Sequence, residues 1–371
     1  MTPVRLLESR VIDQIAAGEV VERPASVVKE LVENALDAGA RSIDVTLKDG
    51  GRTLVRVADD GAGMGRQDAM LAIERHATSK IRDVEDLASV RTLGFRGEAL
   101  PSIAAVSRFE LVTRPRDDDA GTRIRIDAGV LTDVRTVGAA PGTVVEVRTL
   151  FHTLPARKAF LRSAGTELGH AVEVVTRAAL VRPDVAFVLR HEDRVLVRAQ
   201  GGTTLATRAT TLLGLDATIP VEVGRGELHL VGVAAGPTVH RPSIGTAVYL
   251  YVGGRWVRDP LLRRAVAAAY RDLIPPGRHP VVVLDLRVPD GAVDVNVHPT
   301  KAEVRFRDPA GIAVFVGDGL RDAIRSDPRR AGAHRATDPG SPILPFQVEV
   351  PAPPTPRIAA LPPELAADRM G

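Results

Sequence analysis

A carboxylate and a carboxamide one helical turn apart, Glu30 and Asn34, stand out in the segment 23–39. Pro24 suits a first helical turn and Gly39 suits the residue after a last turn, so the segment predicts a helix bounded at both ends. One side of that helix is apolar, and the opposite side carries the two oxygen-bearing side chains. The apolar positions are Val28, Leu31, Val32 and Ala35. Taken alone, such a polar row is more often a solvated helix face than a site.

An acidic turn that contains glycine follows the next predicted element. The stretch SIDVTLKDGGRTLVRVADD alternates apolar and polar residues on both sides of Asp49-Gly50-Gly51, which is typical of a β-hairpin. Its second strand runs into DDGAGM, beginning at Asp59, so a carboxylate lies at a sheet edge where glycine lets the backbone approach a ligand. An ordinary strand-ending turn has the same composition, and the sequence leaves both interpretations open.

A glycine-rich approach to a helix, with basic neighbours, lies between 75 and 100. Gly94, Arg96 and Gly97 directly precede a helix predicted to start near Glu98, and Lys80 lies upstream in RHATSK. Backbone amides at a helix start, together with arginine and lysine, make an anion site. The chain contains neither GxxxxGKS nor GxxxxGKT, so a phosphate bound here is not held by a Walker A loop.

Length and composition predict a soluble, cytoplasmic α/β or α+β protein of two or three domains. The chain has 371 residues, 44% of them hydrophobic, and no apolar run approaches the roughly 20 residues that span a bilayer. The absence of cysteine excludes disulfides and thiolate metal sites. The formal net charge is only +3, so any nucleic-acid surface must be a local patch. The chain is rich in arginine, and its five lysines, each of interest for that reason, are Lys29, Lys48, Lys80, Lys158 and Lys301.

The remaining patterns predict two α+β domains and a tail. A first domain, 1–205, has strands near 108–114, 122–127, 142–147, 185–191 and 194–199. A second domain, 206–328, has strands near 219–223 and 227–234 and a helix near 310–325. The Pro-rich segment 329–371 cannot build a core and predicts a disordered linker or tail.

Five motifs resemble those of the MutL family of DNA mismatch-repair proteins: KELVENALDAGA, DDGAGM, RHATSKI, GFRGEAL and NVHPTKAEVRF. The match extends over nearly all of residues 5–325. GFRGEAL and RHATSK are specific to this family, whereas ExxxN and DxGxG indicate only the wider GHKL ATPase superfamily of gyrase B subunits, heat-shock ninety chaperones and histidine kinases. The resemblance implies an α+β protein: a Bergerat-type GHKL ATPase domain, with helices on a mixed sheet, followed by an α/β domain like domain 2 of ribosomal protein S-five.

The resemblance also implies roles for single residues. Glu30 matches the general base that orients and deprotonates the water attacking the γ-phosphate of ATP, and Asn34 matches the Mg²⁺ ligand. Asp59 matches the carboxylate that accepts a hydrogen bond from the adenine amino group, with Thr143 supporting the same base. The glycines that would let the backbone approach the nucleotide are Gly61 and Gly63.

By the same resemblance, residues 75–100 form a lid over the phosphates. Lys301 would reach the γ-phosphate from the second domain, as suits a single point charge. That contact would make the angle between the domains depend on whether a γ-phosphate is present. The lid residues expected at the triphosphate are Thr78, Ser79, Lys80, Gly94, Phe95, Arg96, Gly97, Glu98 and Ala99.

The implied function is a mismatch-repair ATPase with slow, Mg²⁺-dependent hydrolysis. ATP would pair two N-terminal domains, close them on DNA without sequence preference and recruit partners, among them a MutS-type mismatch-recognition protein. An ATP-gated adaptor, in which hydrolysis only resets the clamp, is a compatible alternative. A histidine kinase or a type II topoisomerase ATPase subunit fits less well, because the nucleotide helix already begins near Pro24 and GFRGEAL is not a topoisomerase lid motif. The candidate DNA contacts, each of which could instead be a solvated charge, are Arg157, Lys158, Arg162, Arg255, Arg258, Arg263 and Arg264.

Two positions depart from the family pattern. Thr153 replaces the asparagine of LFxNxPAR, and Gly253 replaces that of VNGR, at a turn that the resemblance implies faces DNA. The family's C-terminal dimerisation domain, with its DQHAxxE endonuclease motif, has no counterpart in these 371 residues. The chain as given is therefore expected neither to cut DNA nor to dimerise permanently.

Overall fold

The computed structural model describes residues 17, 18, 20–78, 97–289, 291–294 and 304–327. Most of the predicted lid, Lys301 and the predicted tail lie outside these ranges. Two β-sheets, one of eight strands and one of five, organise the described residues.

The larger sheet consists of β1 (Ser42–Lys48), β2 (Leu54–Asp59), β3 (Arg108–Arg114), β4 (Gly121–Asp127), β5 (Val130–Val137), β6 (Gly142–Arg148), β7 (Ala186–His191) and β8 (Arg194–Ala199). Their order is β5-β4-β3-β6-β2-β1-β7-β8. Strands β1 and β7 are parallel, and the other neighbours within this sheet are antiparallel. The predicted hairpin is confirmed, since β1 and β2 join through a 3₁₀ turn, Asp49–Gly51, in which Gly50 has φ +66°.

The helices whose full extent the described residues show in the same part of the chain are α1 (Pro24–Asp37), α2 (Arg66–Leu71), α3 (Ala99–Ala105), α4 (Pro155–Phe160), α5 (Ala164–Val181) and α6 (Leu205–Leu213). The predicted helix over 23–39 is confirmed as α1, which packs on α5 and β2. Its apolar stripe is buried, so Glu30 and Asn34 remain on the half-buried side. Gly39 follows the helix with φ +71°, the left-handed conformation in which glycine is favoured after a helix end.

The smaller sheet has the order β13-β12-β15-β10-β9. The elements after 214 are β9 (Ile219–Arg225), β10 (Leu228–Ala234), β11 (His240–Arg241), β12 (Val248–Val252), β13 (Arg255–Trp256), α7 (Pro260–Ala269), β14 (His279–Pro280), β15 (Val282–Arg287), β16 (Val293–Asp294), β17 (Arg305–Phe306) and α8 (Pro309–Arg325). Helices α7 and α8 pack on each other, and α8 also covers β9 and β10. The apolar face of a short sheet is thus buried by helices, as a small α+β layer requires.

A buried arginine joins α6 to the end of the first sheet. Arg208 is only 2% exposed, and its guanidinium donates hydrogen bonds of 2.5 to 3.3 Å to five backbone carbonyls. The acceptors belong to Ala179, Arg182, Pro183, Val185 and Gln200. The predicted boundary at 205 falls at the first residue of α6, and it stays a prediction.

Candidate functional site

The half-buried side of α1 holds a network of charges around Glu30. Lys29 Nζ donates to Glu30 Oε1 at 2.8 Å and to Glu33 Oε2 at 3.2 Å. Burial would lower the pKa of Lys29, but the carboxylates of Glu30 and Glu33 outweigh it and raise that pKa above its usual range. Lys29 is therefore a permanent positive charge beside the predicted base.

Three strands of the larger sheet place hydrogen-bonding side chains next to one another. Asp59 on β2 lies opposite Thr143 on β6, and Thr143 in turn lies opposite Thr113 on β3. The hydroxyl oxygens of Thr143 and Thr113 are 3.0 Å apart, and the backbone N–H of Met64 donates to Thr113 Oγ1 at 2.9 Å. Sequence reasoning missed Thr113, because only strand pairing brings it beside Thr143.

The two acids of DDGAGM have different surroundings. Asp59 Oδ1 accepts from Gly61 N–H at 2.8 Å, and burial raises the pKa of Asp59 despite the hydrogen bonds from the Gly61 and Thr143 backbones. Asp60 Oδ1 accepts from the N–H groups of Arg41 and Ser42 at 2.7 and 2.8 Å. Asp60 therefore stabilises the start of β1. The ionised form of Asp59 is destabilised by burial unless a further hydrogen-bond donor contacts the carboxylate.

The glycines of the turn allow it to pack closely on its neighbours. A Cβ on Gly61 would lie 2.9 Å from the carbonyl oxygen of Ala38, directly after α1. Gly63 has φ +67°, and a Cβ there would lie 2.1 Å from the carbonyl oxygen of Arg114. The turn thus packs the end of β2 against Ala38, the residue that follows α1.

The two described ends of the predicted lid meet. Gly97 has φ +65°, and a Cβ there would lie 2.4 Å from the carbonyl oxygen of Ala77. His76 Nδ1 is 3.7 Å from Glu98 Oε1, and α3 begins at Ala99, close to the predicted start. In the chain, this junction therefore includes Thr78 on one side and Gly97, Glu98 and Ala99 on the other. The lid and domain-contact residues outside the described ranges are Ser79, Lys80, Gly94, Phe95, Arg96 and Lys301, and their roles stay predictions.

The donor set on α1 suits a hard divalent cation that also binds phosphate. Glu30 and Asn34 offer side-chain oxygens, which Mg²⁺ prefers. Among the described residues there is no group of three or more His, Asp or Glu that could hold a metal ion alone. Mg²⁺ commonly takes only one or two protein oxygens and completes its shell with water and phosphate. Asn34 fits that pattern.

Among the seven candidate DNA contacts, Arg157 and Arg255 interact with segments far from them in sequence. Arg157 Nη1 donates to the carbonyl oxygen of Gly18 at 2.5 Å. Arg255 is half-buried; burial lowers its pKa, opposed by the negative charges of Glu33 and Asp37 on α1. Arg263 is also half-buried. The exposed candidates are Lys158, Arg162, Arg258 and Arg264.

A tryptophan connects the smaller sheet to α5. The guanidinium carbon of Arg177 lies 3.6 Å from the ring centroid of Trp256, and that of Arg258 lies 5.1 Å away. Tyr251 donates through its hydroxyl to the carbonyl oxygen of Arg177 at 2.7 Å. Burial, with the nearby charge of Arg258, lowers the pKa of Arg177 to about 10. The one sequence signal that could have indicated this contact is the single tryptophan, Trp256, which follows Arg255.

The fold and the comparisons define a class, the GHKL-type ATPases. Residues 22–137 match the family model "Histidine kinase-, DNA gyrase B-, and HSP90-like ATPase", and 214–325 match "DNA mismatch repair protein, C-terminal domain". A DNA repair protein's N-terminal domain shares the fold, with a TM-score of 0.71 and 23% identity, covering 87% of this chain and 99% of that one. The predicted α+β class is therefore confirmed.

Relatives narrow the class to one family. The DNA mismatch repair protein MutL of Anaeromyxobacter dehalogenans (strain 2CP-C) is 52% identical over 342 residues, which cover 90% of this chain and 56% of that protein. The Aquifex aeolicus MutL ATPase domain complexed with ADP is 28% identical, with a TM-score of 0.58, covering 73% of this chain and 93% of that one. The chain belongs to the MutL family of DNA mismatch repair proteins, and it spans little more than half the length of the curated relatives it matches. No helix among the described residues is long and apolar enough to cross a membrane.

Proposed function

We propose that the chain binds ATP where α1 meets the ends of β2, β6 and β3, and hydrolyses it slowly with Mg²⁺. One observation carries this proposal: Asp59 and Thr143 lie opposite each other, beside the turn that packs on the end of α1. A half-buried acid and a hydroxyl side by side suit the edge of an adenine base, which offers both a donor and acceptors. The ADP bound to the Aquifex aeolicus relative is the same class of ligand.

The raised pKa of Asp59 supports its role as the adenine acceptor. Burial penalises the ionised carboxylate, and Gly61 N–H offsets only part of that penalty. A ligand amino group that donates to the carboxylate would offset more of it. Thr143, linked to Thr113 at 3.0 Å, would contact the same base from the next strand.

The side chains of α1 would serve the phosphate end. In-line phosphoryl transfer needs a positioned water and neutralisation of charge, and little covalent help from the protein. Glu30 would orient the attacking water and take its proton, and Asn34 would hold Mg²⁺, which supplies charge neutralisation on the phosphates. The lid residues, from Thr78 to Ala99, and Lys301 would bind the triphosphate.

In the cell, the ATP-bound state would pair two copies of the N-terminal region, close on DNA and recruit repair partners such as a MutS-type protein. The exposed cations Lys158, Arg162, Arg258 and Arg264 suit sequence-independent contact with phosphates. In this proposal 1–205 is the ATP-binding domain, 206–328 transmits the nucleotide state, and 329–371 is a linker.

Phosphate release from ATP, with and without EDTA, tests the ATPase activity. Slow turnover that depends on Mg²⁺, with a Kd for ATP in the micromolar to millimolar range, agrees with the proposal. No detectable binding of ATP at a concentration of several millimolar would contradict it, because a functional site must be occupied near cellular nucleotide levels.

A further inference from the structure

Two carboxylates lie near each other on α1, and one lysine bridges them. Glu30 and Glu33 are three residues apart, so they occupy neighbouring positions on the helix surface and repel each other. Lys29 Nζ contacts Glu30 Oε1 at 2.8 Å and Glu33 Oε2 at 3.2 Å. The exposed fractions of the three side chains are 37% for Lys29, 25% for Glu30 and 22% for Glu33. The bridge is therefore partly shielded from water, and it is stronger than a solvated pair of the same geometry.

Helix stability alone does not account for a lysine at this position. A lysine placed four residues before a glutamate is the less favourable order of an i,i+4 pair, since it opposes the helix dipole. The chain otherwise uses arginine for nearly all its cations, and Lys29 is one of only five lysines. An ammonium is a compact charge that can lie between two carboxylate oxygens, whereas a planar guanidinium forms a fork to one carboxylate.

The Lys29 ammonium contacts one carboxylate oxygen of Glu30, the proposed base, and does not contact the other oxygen. Among the described residues, the contact of Glu30 is made through Oε1 only. A carboxylate held by one oxygen has a defined orientation, and its second oxygen can accept a hydrogen bond from water.

We propose that Lys29 is a positioning residue for Glu30: its ammonium holds Oε1 and the Glu33 carboxylate, so that Oε2 faces the attacking water. This inference rests on the proposed ATPase function. Without Lys29, repulsion from Glu33 displaces the Glu30 carboxylate, and turnover falls. Nucleotide affinity does not fall, because the adenine contacts belong to Asp59 and Thr143 on the sheet.

Steady-state ATP hydrolysis and binding of a non-hydrolysable ATP analogue test this role in Lys29→Met, Lys29→Arg and the control Lys48→Met. Lys48 is an exposed lysine at the end of β1. We expect kcat of Lys29→Met to fall about ten- to a hundredfold, as for a misplaced catalytic group, with KM and the analogue's Kd changed less than about twofold. Lys29→Arg recovers part of the loss, and Lys48→Met equals wild type. In a Glu30→Gln background, Lys29→Met has no further effect, because the base it positions is gone.

Three results would overturn the inference. If Lys29→Met keeps the wild-type kcat while Glu30→Gln is inactive, Lys29 forms only a surface ion pair and the proposed ATPase function still stands. If Lys29→Met loses analogue binding and thermal stability together, its role is structural. If Glu30→Gln itself turns ATP over at the wild-type rate, the proposed base is wrong and the role of Lys29 fails with it.

Discussion

Asp59 and Thr143 face each other across the antiparallel strands β2 and β6, at the point where β2 runs into the turn that packs on the end of α1. The pairing brings residues from two distant parts of the chain to the same sheet edge. The turn then links that edge to the helix that carries Glu30. In the proposed function, adenine recognition and water activation then belong to separate elements that the turn connects.

Replacement of the neighbouring acids by alanine should affect different properties, ATP affinity for Asp59 and the free energy of unfolding for Asp60. Asp59→Ala is expected to weaken ATP binding about tenfold or more, since a hydrogen bond to a charged group is worth about 1.5–3 kcal/mol. Asp60→Ala is the matched control: it removes the acceptor of two N–H groups at the start of β1. That loss should lower the free energy of unfolding by about 1–3 kcal/mol and leave ATP affinity unchanged. Calorimetric binding and urea unfolding of both variants distinguish the two roles, and equal loss of ATP affinity in both would contradict the assignment.

ATP affinity should depend on pH through Asp59. Burial raises the pKa of this carboxyl, so the folded protein binds its proton more tightly than the unfolded chain does. Its ionisation therefore destabilises the folded state as pH rises through the raised pKa, and this effect is absent at lower pH. Accepting a hydrogen bond from adenine requires the ionised Asp59 carboxylate. ATP affinity should therefore be greatest above the raised pKa of Asp59 and fall as pH decreases through that pKa, which lies above the ordinary aspartate value near 3.9. Fluorescence titration of an ATP analogue from neutral pH downwards should show the decrease. Asp59→Ala should remove it, and an identical decrease in that variant would assign the titration to another group.

Arg208 should contribute strongly to stability without touching the nucleotide. Its guanidinium donates to five carbonyls while 2% exposed, so Arg208→Met leaves those acceptors unsatisfied in a buried site. We expect a loss of about 3 kcal/mol or more in the free energy of unfolding. The control Arg198→Met, at an exposed position of β8, should change it by less than about 0.5 kcal/mol. Urea unfolding followed by circular dichroism measures both, and a neutral Arg208→Met would show that the carbonyls find water instead.

The candidate DNA cations divide into exposed and internally engaged residues. Lys158→Ala and Arg162→Ala should each reduce the slope of log K against log salt by about one, because each removes one phosphate contact. Arg157→Ala should leave that slope unchanged and lower the melting temperature, since its guanidinium binds the Gly18 carbonyl. Fluorescence anisotropy with duplex DNA at several salt concentrations gives the slopes. A reduced slope for Arg157→Ala alone would reverse the assignment.

Local signals made much of the fold predictable. Helix α1, the β1–β2 hairpin and the main strands follow from hydrophobic period, proline and glycine at their ends. Strand β5 was missed because it is an edge strand with most positions exposed, so it lacks the alternation of a half-buried strand. Helix α6 was missed as well, although Thr204 caps it by accepting from Thr207 N–H.

The site was predictable only where a motif names its residues. Family motifs predict Glu30, Asn34 and Asp59, but composition and hydrophobic period alone do not distinguish Asp59 from Asp60. That distinction depends on which N–H groups tertiary packing brings to each carboxylate. Likewise, charge along the chain cannot show that Arg157 binds a carbonyl or that Arg255 lies within electrostatic reach of Glu33 and Asp37, because both interactions join segments far apart in sequence.

Hydrolysis of ATP by Glu30→Gln, measured beside wild type with Mg²⁺, tests the central claim most directly. The substitution keeps the shape of the side chain and removes its ability to take a proton. We predict that Glu30→Gln binds an ATP analogue within about twofold of wild type, and that its turnover falls at least about a hundredfold, as expected for loss of a general base. Turnover by Glu30→Gln at the wild-type rate would contradict the account, since the α1 carboxylate would then be part of a solvated helix face.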